Sequence, residues 1–432
     1  MMYVTGVGAR EVLDSRGLPT VEAWVEVGGL FRGYAMVPAG ASKGSHEAFE
    51  LRDGGPRWMG KGVRKAVENI RTLIGPAIMG KEADIKVVDE ILIGLDGTRR
   101  KSRLGANAIL AVSMATARAI AAMEKIPLYH LISQLSKVDT PVIPTPMVNM
   151  ISGGHHANWS LDFQDFLIIP LTAQSFSTAL ENVGSVYHQL KNILKKEGLS
   201  TLLADEGGFS PGRMAHRDAI ELLIRAVEES GFRPGDDIGL AIDAASTHLY
   251  SSGVYRLSNE GLTLTSVEMV DYIKGLCDTY PIYSVEDCCA EDDLDGWRYL
   301  FRRLGGHIQL VGDDLFVTNV ERLRMGAEMG LANASLMKPN QVGTVTETLD
   351  AITCCRERKL TPIVSARSGD TEDSFIADLA VGSGSPQIKI GSIARSERTA
   401  KYNRLLSIEE ELGGRSFYIG GKALKVGHNP VT

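Results

Sequence analysis

Residues 238–243 read IGLAID, a short apolar run that ends in a carboxylate. Similar runs follow at 282–285, 308–311, 335–337, 362–364 and 388, and the polar residues after them are Glu286, Asp313, Lys338, Ser365 with Arg367, and Lys389. An earlier run at 202–203 precedes Asp205 and Glu206 in the same way. From Asp243 to Lys389 the repeat averages about 29 residues, close to the roughly 31 residues per βα unit of an eight-unit barrel.

Amphipathic stretches at 217–230, 321–329 and 344–356 fill the intervals between these runs. Short apolar runs that alternate with such stretches are typical of βα units in an α/β protein. The pattern therefore predicts a (β/α)8 barrel, in which the residues after the strands meet at one mouth. A generic doubly wound α/β sheet is the alternative that the pattern leaves open.

The first part of the chain has a different rhythm. Residues 20–27 and 31–37 predict antiparallel strands, and the loop at 38–46 is rich in small residues and is expected to be mobile. From 61 to 131 the period is helical, with breaks expected at Gly75 and Pro76, at Gly80, and at Asp96 and Gly97. Prolines at 141, 144 and 146 indicate a boundary between an α+β domain at 1–138 and a barrel domain at 139–432.

The composition excludes several classes of protein. Hydrophobic residues make up 44% and charged residues 23% of 432, which is typical of a folded globular chain. The net charge of −7 argues against nucleic acid as a partner. The apolar stretch at 104–123 contains Asn107, Ser113 and Arg118, so we expect a buried helix and no membrane partner. Five cysteines without a CxxC motif, and no visible signal peptide, favour free thiols in a cytoplasmic protein.

Three carboxylates follow successive predicted strands: Asp243, Glu286 and Asp313. Oxygen ligands of this kind suit Mg²⁺. Taken singly, each could instead be a helix cap or an ion-pair partner. Lys338 and Lys389 follow two later strands, and their mutual repulsion near a metal is expected to lower one pKa and provide a neutral amine as a base.

Other candidates lie on glycine-rich segments. Glu206 precedes two glycines, and Arg367 and Ser368 precede a third, an arrangement that could hold a phosphate. His156 follows Gly153 and Gly154 and could reach a site, although a structural role is equally compatible with its position. The GxGxxG, P-loop, GxSxG and HExxH motifs do not occur in the sequence, which argues against nucleotide-binding folds, serine hydrolases and zinc proteases.

Longer motifs surround these residues. They include REVLDSRGLPTVEAWV at 10–25, EAFELRDG at 47–54, KSRLGANAIL at 101–110, NMISGGHHAN at 149–158, DEGGFSP at 205–211, SVEDCCAEDD at 284–293, GDDLFVTN at 312–319, MKPNQVGTVTET at 337–348, SARSGDTEDSFIADLAVG at 365–382, QIKIG at 387–391 and RTAKYNRLLSIEEELG at 398–413. In this order they resemble the enolase family over nearly the whole chain. The resemblance implies an α+β N-terminal cap domain before an enolase-type modified (β/α)8 barrel, as a homodimer or a higher homo-oligomer.

The resemblance also implies a ligand set for metal. Asp243, Glu286 and Asp313 would hold one Mg²⁺ that orients the substrate. Ser42, in the loop, would complete a second Mg²⁺ site when substrate binds.

The same resemblance implies roles in converting 2-phosphoglycerate to phosphoenolpyruvate. Lys338 would remove the C2 proton, and metal ions would stabilise the intermediate. Glu206 would protonate the departing C3 hydroxyl, with Asp165 beside it. The substrate would be a small phosphorylated carboxylate, and its expected contacts are Lys389, His156, Gln164, Arg367 and Ser368.

Several positions depart from the family pattern. The family's Gln-Glu-Phe is here Gln164-Asp165-Phe166, one methylene shorter, and the histidine of Ser-His-Arg-Ser-Gly is Ala366. Lys43 replaces a threonine in the loop, and Cys288 and Cys289 replace Pro-Phe. The polar changes concern the loop and the end of the site that handles the hydroxyl group.

Three functions follow from these observations. The first is a glycolytic enolase, and the second is an enolase-like paralogue with related enolpyruvate chemistry, such as carboxyphosphonoenolpyruvate synthase of phosphinate antibiotic biosynthesis. The third is a non-catalytic scaffold, which the retained carboxylates and lysines disfavour.

Overall fold

The computed structural model describes residues 2–40, 44–415 and 417–424. Its larger part is a closed barrel of eight strands. The strands are β4 (Thr145–Ser152), β5 (Asp165–Pro170), β6 (Ile238–Asp243), β10 (Ile282–Glu286), β11 (Gln309–Gly312), β12 (Ala334–Met337), β13 (Thr361–Ser365) and β14 (Gln387–Gly391). Around the barrel they follow the order β10-β11-β12-β13-β14-β4-β5-β6. The predicted barrel is confirmed, and because the sheet closes on itself the doubly wound alternative is excluded.

One barrel strand runs against the others. β5 pairs antiparallel with both β4 and β6, whereas the remaining neighbours in the barrel pair in parallel. Residue Asp165 begins β5, and it lies opposite Asp243, which ends β6. The start of the reversed strand therefore reaches the same mouth as the carboxyl ends of its neighbours.

The expected strand at 202–203 is wrong. Leu202 is 77% exposed, and this segment is a loop with an isolated bridge from Leu203 to Phe209. The chain turns sharply here, because the Gly207 N–H donates to Ala204 O and Gly207 has a φ of +86°. Glu206 thus reaches the mouth from a turn, and its carbonyl accepts from Ser392 N at 2.8 Å, just beyond β14.

Helices follow most strands on the outside of the barrel. They are α6 (Phe176–Lys196), α7 (His216–Glu229), α8 (Ser266–Thr279), α9 (Leu294–Leu304), α10 (Val320–Met329), α11 (Pro339–Val342), α12 (Val345–Glu357), α13 (Phe375–Gly382) and α14 (Ser396–Leu412). The three amphipathic stretches predicted from sequence are α7, α10 and α12. A small antiparallel sheet, β7 (Tyr250–Ser251), β8 (Val254–Leu257) and β9 (Leu262–Leu264), lies between β6 and α8 along the chain.

The N-terminal region carries the predicted antiparallel meander. β1 (Val4–Leu13), β2 (Pro19–Val27) and β3 (Phe31–Met36) pair in that order. The helices that follow are α1 (Arg64–Asn69), α2 (Gly75–Ile78), α3 (Ile85–Asp96), α4 (Ala106–Glu124) and α5 (Leu128–Ser136). α4 packs on β2 and β3, and it is so close to β3 that a Cβ at Gly33 would collide with the backbone of Ala115.

The break expected at Gly75 and Pro76 does not occur. A π-helical turn at Ile70–Ile74 connects α1 to α2, and the Gly75 N–H donates to Ile70 O. Pro76 lies in the first turn of α2, where a missing N–H is tolerated. Because of this wider π-helical turn, the chain remains helical on both sides of the proline.

The expected buried helix is confirmed as α4. Among the described residues, α4 is the one helix that is long and apolar enough to cross a membrane. However, 83% of an apolar 18-residue stretch of this helix is buried inside the protein. All five cysteines are also buried and unbridged. Both features belong to the interior of the fold.

Candidate active site

Most of the predicted site residues meet in one small cavity at the mouth of the barrel. Those that line it are His156, Gln164, Glu206, Asp243, Asp313, Lys338, Arg367, Ser368 and Lys389. Glu286 and Asp165 lie directly behind this lining, since Glu286 contacts Lys389 and Asp165 approaches His156. Ser42 and Lys43 lie outside the described residues.

Lys389 connects two of the predicted metal ligands. Its ammonium group donates to Asp243 Oδ2 and to Glu286 Oε2, each at 2.8 Å. Gln164 Nε2 also donates to Asp243 Oδ2, at 3.0 Å. The three residues of this ion-pair group are buried, so the two carboxylates face a cation in a region of low dielectric.

Asp313 has its own cation. Its Oδ2 forms an ion pair with Lys338 Nζ, and its Oδ1 accepts from Gln341 Nε2 at 2.9 Å. The amide of Gln341 is oriented in turn by Thr318, whose hydroxyl donates to Oε1 at 2.7 Å. Lys338, which follows β12, is therefore held against a carboxylate that follows β11.

Both lysines have raised pKa values because each is paired with a carboxylate. Burial lowers the pKa of Lys389, but the charges of Asp243 and Glu286 outweigh it and hold this pKa well above its usual value. Burial also opposes the charge on Lys338, yet Asp313 raises its pKa above the usual range. The expected lowering of one lysine pKa applies to lysines beside a bound metal ion, and it stays a prediction.

The donor set suits a divalent cation. Asp243, Glu286 and Asp313 supply only oxygen atoms, and the Lys389 ammonium lies between the first two as a cation would. Burial raises the pKa of Glu286 well above its usual value, with the charge of Asp243 acting in the same direction. These carboxylates are thus crowded enough to favour a nearby positive charge. They are the residues that would hold Mg²⁺.

A second acidic cluster lies beside the first. Ligand oxygens of Asp287, Asp313 and Asp314 lie within 4.8 Å of one another. The Asp287 carboxylate already accepts the backbone N–H groups of Asp313 and Asp314, each at 2.9 Å. Burial, reinforced by the charge of Asp313, raises the pKa of Asp314 to about 8. We interpret Asp287 as the residue that orients the turn carrying Asp313.

Three titratable groups form a third cluster at the mouth, and its Asp165 pairs in register with Asp243 on the neighbouring strand. His156 Nδ1 lies 3.9 Å from Asp165 Oδ2 and 3.9 Å from Glu206 Oε1. Asp165 Oδ1 accepts from Asn149 Nδ2 and, at 3.0 Å, from Ser152 Oγ. Its Oδ2 and both ring nitrogens of His156 are buried and have no hydrogen-bond partner among the described residues.

The proton preferences within this cluster are opposite for its two acids. Burial and the charge of Glu206 raise the pKa of Asp165 well above its usual value. Burial also raises the pKa of Glu206, but the charges on His156, Arg398 and the lysines outweigh it and lower this pKa. These opposite directions favour a proton on Asp165 over a proton on Glu206. Burial lowers the pKa of His156, which favours its neutral ring.

Arg367 is already paired. Its Nη1 and Nη2 donate to the two oxygens of Glu47 at 3.0 and 3.1 Å, and Nη1 also donates to Asn340 Oδ1 at 3.0 Å. Ser368 follows it and is also buried. The predicted phosphate-binding pair thus lies at the mouth, with its guanidinium oriented by a carboxylate from the N-terminal region.

The segment that carries Arg367 and Ser368 is positioned by its backbone. The fully buried Arg398 donates to the carbonyls of Arg367 and Ser368, each at 2.7 Å. Gly369 exchanges backbone hydrogen bonds with Ala39, and a Cβ there would collide with Ala39 O and with Arg16. This loop and the N-terminal segment 38–40 therefore lie in direct contact.

Sequence reasoning did not assign roles to Glu47, Gln341, Asn149 or Arg398. Glu47 and Gln341 stand inside motifs quoted above, in EAFELRDG and MKPNQVG, and these motifs were the available signal. Their partners are distant in the chain, since Glu47 and Arg367 are separated by 320 positions. Spacing along the sequence gives no information about such contacts.

Family comparison agrees with this architecture. The family model described as the enolase N-terminal domain matches residues 4–132. The model described as the enolase C-terminal TIM barrel domain matches residues 140–426. The two matches together span nearly the whole chain, which belongs to the enolase family and is a lyase-type enzyme of the enolase superfamily.

Proposed function

We propose that the protein is a Mg²⁺-dependent lyase that interconverts 2-phosphoglycerate and phosphoenolpyruvate. The observation that supports this most directly is that a candidate base and a candidate acid line the same cavity. Lys338 lines it beside Asp313, and Glu206 lines it beside His156. Removal of a proton and a hydroxyl group from adjacent carbons requires a base and an acid at one site.

Lys338 acts as the base. Its ion pair with Asp313 favours the ammonium form, and a cation bound by Asp313 would weaken this pairing and favour the neutral amine. The neutral amine takes the C2 proton, and the electron pair of the broken C–H bond is delocalised into the substrate carboxylate. Asp243, Glu286 and Asp313 would hold Mg²⁺, which would compensate the negative charge that develops there. Lys389, at the floor of the mouth, contributes a fixed ammonium charge to the same carboxylate.

Glu206 acts on the leaving group. It donates a proton to the C3 oxygen, the C3–O bond breaks, and water departs while the electron pair from C2 forms the C2=C3 bond. Because its pKa is lowered, Glu206 must take up a proton before it can act as the acid. His156 lies 3.9 Å from Glu206 and from Asp165 and is placed to assist this proton uptake. Arg367 and Ser368 bind the phosphate, and Gln164 contacts the substrate beside Asp243.

The decisive experiment measures breakage of the C2–H bond and breakage of the C3–O bond separately. The protein with Mg²⁺ and 2-phosphoglycerate in D₂O should incorporate deuterium at C2 and form phosphoenolpyruvate. Omission of Mg²⁺ should stop both, because the charge on the intermediate is then uncompensated. If neither exchange nor product is detected with Mg²⁺ present, 2-phosphoglycerate is not the substrate.

A second candidate function is favoured by Asp165 and Ala366. The shorter Asp165 lies in the cluster with His156 and Glu206, and Ala366, where the imidazole is missing, lines the same cavity as Glu206. An enolase-like paralogue that forms a related enolpyruvate product, such as carboxyphosphonoenolpyruvate synthase, would keep the base and the metal ligands and alter the surroundings of Glu206. Neighbouring genes of phosphonate metabolism would favour this function, and glycolytic neighbours would favour the first.

We also propose that the protein is cytoplasmic and forms a homodimer or a higher homo-oligomer. Analytical ultracentrifugation would establish the oligomer.

A further inference from the structure

A basic cleft lies outside the catalytic cavity. It encloses about 330 Å³, compared with about 20 Å³ for the cavity at the mouth of the barrel. Small-molecule sites have volumes of about 300–1,000 Å³, so the cleft is large enough for a ligand of several heavy atoms. Its charged lining consists of Arg99, Arg100, Lys101, Arg322, His46 and Glu347.

Positive charge exceeds negative charge in this lining. Among the described residues that line the cleft, four are Lys or Arg and one is acidic. That acid, Glu347, is paired with Lys101 at 2.8 Å, and Arg99 pairs with Glu321 at the rim. Two arginines remain that form no ion pair within 4.0 Å with a carboxylate of the described residues, although the charges of Glu291 and Asp292 act on one of them, Arg322.

Those two residues are Arg322 and Arg100. Arg322 is half-buried, and its hydrogen bonds among the described residues go to two main-chain carbonyls, Leu315 O at 2.6 Å and Glu291 O at 3.3 Å. Arg100 is exposed and donates through Nε to Glu47 O at 2.8 Å, which leaves its terminal nitrogens directed elsewhere. A carbonyl can accept a hydrogen bond but cannot neutralise a guanidinium charge. The guanidinium groups of the half-buried Arg322 and the exposed Arg100 can therefore both donate to an anion in the cleft.

The cleft shares a wall with the active site. Gln341 lines the cleft and donates to Asp313 Oδ1 at 2.9 Å on the other side. Glu47 receives Arg100 through its carbonyl and holds Arg367 with its carboxylate. Gln341 therefore lies between a ligand in the cleft and Asp313, and Arg100 and Glu47 connect such a ligand to Arg367.

We propose that this cleft binds a second, phosphate-bearing anion, next to the catalytic cavity but separate from it. The planar guanidinium groups of Arg100 and Arg322 supply paired N–H donors that match phosphate oxygens. The volume and the excess of positive charge suit an anion with more than one negative charge. The cleft binds this anion whichever reaction the catalytic cavity performs.

Inorganic pyrophosphate is a suitable probe. Isothermal titration without Mg²⁺ should detect its binding to the intact protein, and the affinity should fall as NaCl is raised. Arg100→Gln and Arg322→Gln should each weaken this binding by about tenfold or more, because each removes charge-assisted hydrogen bonds. Circular dichroism would show whether Arg322→Gln still folds; Arg100 is exposed and provides the test in any case.

Two controls decide where the probe binds. Arg298→Gln removes an exposed arginine on α9 and should leave the affinity unchanged. Ser368→Ala alters the catalytic cavity and should also leave it unchanged. The proposal is overturned if wild-type protein does not bind pyrophosphate, if Arg100→Gln binds it as wild type does, or if Arg298→Gln or Ser368→Ala weakens it to the same extent. None of these results depends on whether 2-phosphoglycerate is converted.

Discussion

Glu47 and Arg367 form a buried ion pair in which both carboxylate oxygens accept from the terminal nitrogens of the guanidinium, at 3.0 and 3.1 Å. The two residues come from different regions of the chain. Glu47 follows the loop after β3, and Arg367 follows β13. The orientation of the proposed phosphate ligand thus depends on the correct placement of the N-terminal region on the barrel.

Replacing Glu47 by Gln should therefore weaken substrate binding. Gln keeps the shape of the side chain but loses the charge and one acceptor, and a hydrogen bond to a charged group contributes about 1.5–3 kcal/mol. We expect KM for 2-phosphoglycerate to rise on the order of tenfold, with a smaller change in kcat. Steady-state kinetics would measure both, with Glu68→Gln on the exposed face of α1 as a control. An unchanged KM would mean that Arg367 is oriented without Glu47.

Lys338→Ala tests the base. The variant should lose exchange of the C2 proton of 2-phosphoglycerate, by a factor of about 10²–10⁴ or more, because no other described lysine is paired with Asp313. Metal should still bind, since Asp243, Glu286 and Asp313 remain. Proton exchange followed by NMR in D₂O, with Lys195→Ala on the exposed side of α6 as a control, would check this. Exchange at the wild-type rate would show that Lys338 is not the base.

Dehydration should be slower than proton exchange in the unmodified protein. Lys338 and the carboxylates that serve the first step are present, whereas Asp165 and Ala366 leave the acid Glu206 with altered neighbours. The double change Asp165→Glu with Ala366→His should raise the rate of phosphoenolpyruvate formation and leave exchange little changed. The two single variants separate the contributions of the methylene and of the imidazole. Rapid turnover by the unmodified protein would contradict this prediction and support an ordinary enolase.

The substitution Lys43→Thr tests whether the loop contributes to substrate binding. Lys43 lies outside the described residues, so this prediction rests on the sequence alone. If the lysine binds an additional negative charge on the substrate, KM for the native substrate should rise in the variant and become less sensitive to salt. An unchanged KM would identify Lys43 as a solvated surface residue.

Asp89 should make stability depend on pH. It lies on α3, accepts from Thr346 N at 3.0 Å, and burial raises its pKa to about 6 from 3.8. Because the folded state binds this proton more tightly than the unfolded state, the free energy of unfolding should fall as pH rises from about 4 to 6 and then level off. At 1.36 kcal/mol per pKa unit, the loss approaches about 3 kcal/mol.

The Asp89→Asn variant cannot ionise at this position. It should lack this decline and be more stable than wild type at pH 8. Urea unfolding at pH 4, 6 and 8 would measure the difference, with the exposed Asp139→Asn as the matched control. Parallel pH dependence in wild type and Asp89→Asn would rule out Asp89 as the cause.

The barrel could be predicted because six of its strands carry a polar residue directly after an apolar run, either within the strand or just beyond its end. β4 and β5 could not be identified in this way. Both are buried along their whole length, and Asp165 begins its strand because β5 is reversed. The rule that site residues follow strands therefore fails at β5, and it also gave a false strand at 202–203, where a turn carries Glu206.

The site residues could be named from the sequence, but their partners could not. Glu47, Gln341 and Arg398 act on residues that are far away in the chain, and no local pattern indicates such contacts. The partners of the lysines were also beyond reach, since the sequence does not indicate which carboxylate each ammonium group contacts. Lys389 lies 2.8 Å from Asp243 and 2.8 Å from Glu286.

The reversed β5 has a consequence for how the chain folds. β4 and β5 are antiparallel neighbours close in sequence, with Val148 opposite Ile168, so they can pair through a short loop. The barrel closes where β14 meets β4, and there Lys389 lies opposite Met147, across nearly the whole domain. Loop-closure entropy favours the local pair and delays the distant one. We therefore expect β4 and β5 to be protected from hydrogen exchange early in refolding, and the β14–β4 seam to be protected last.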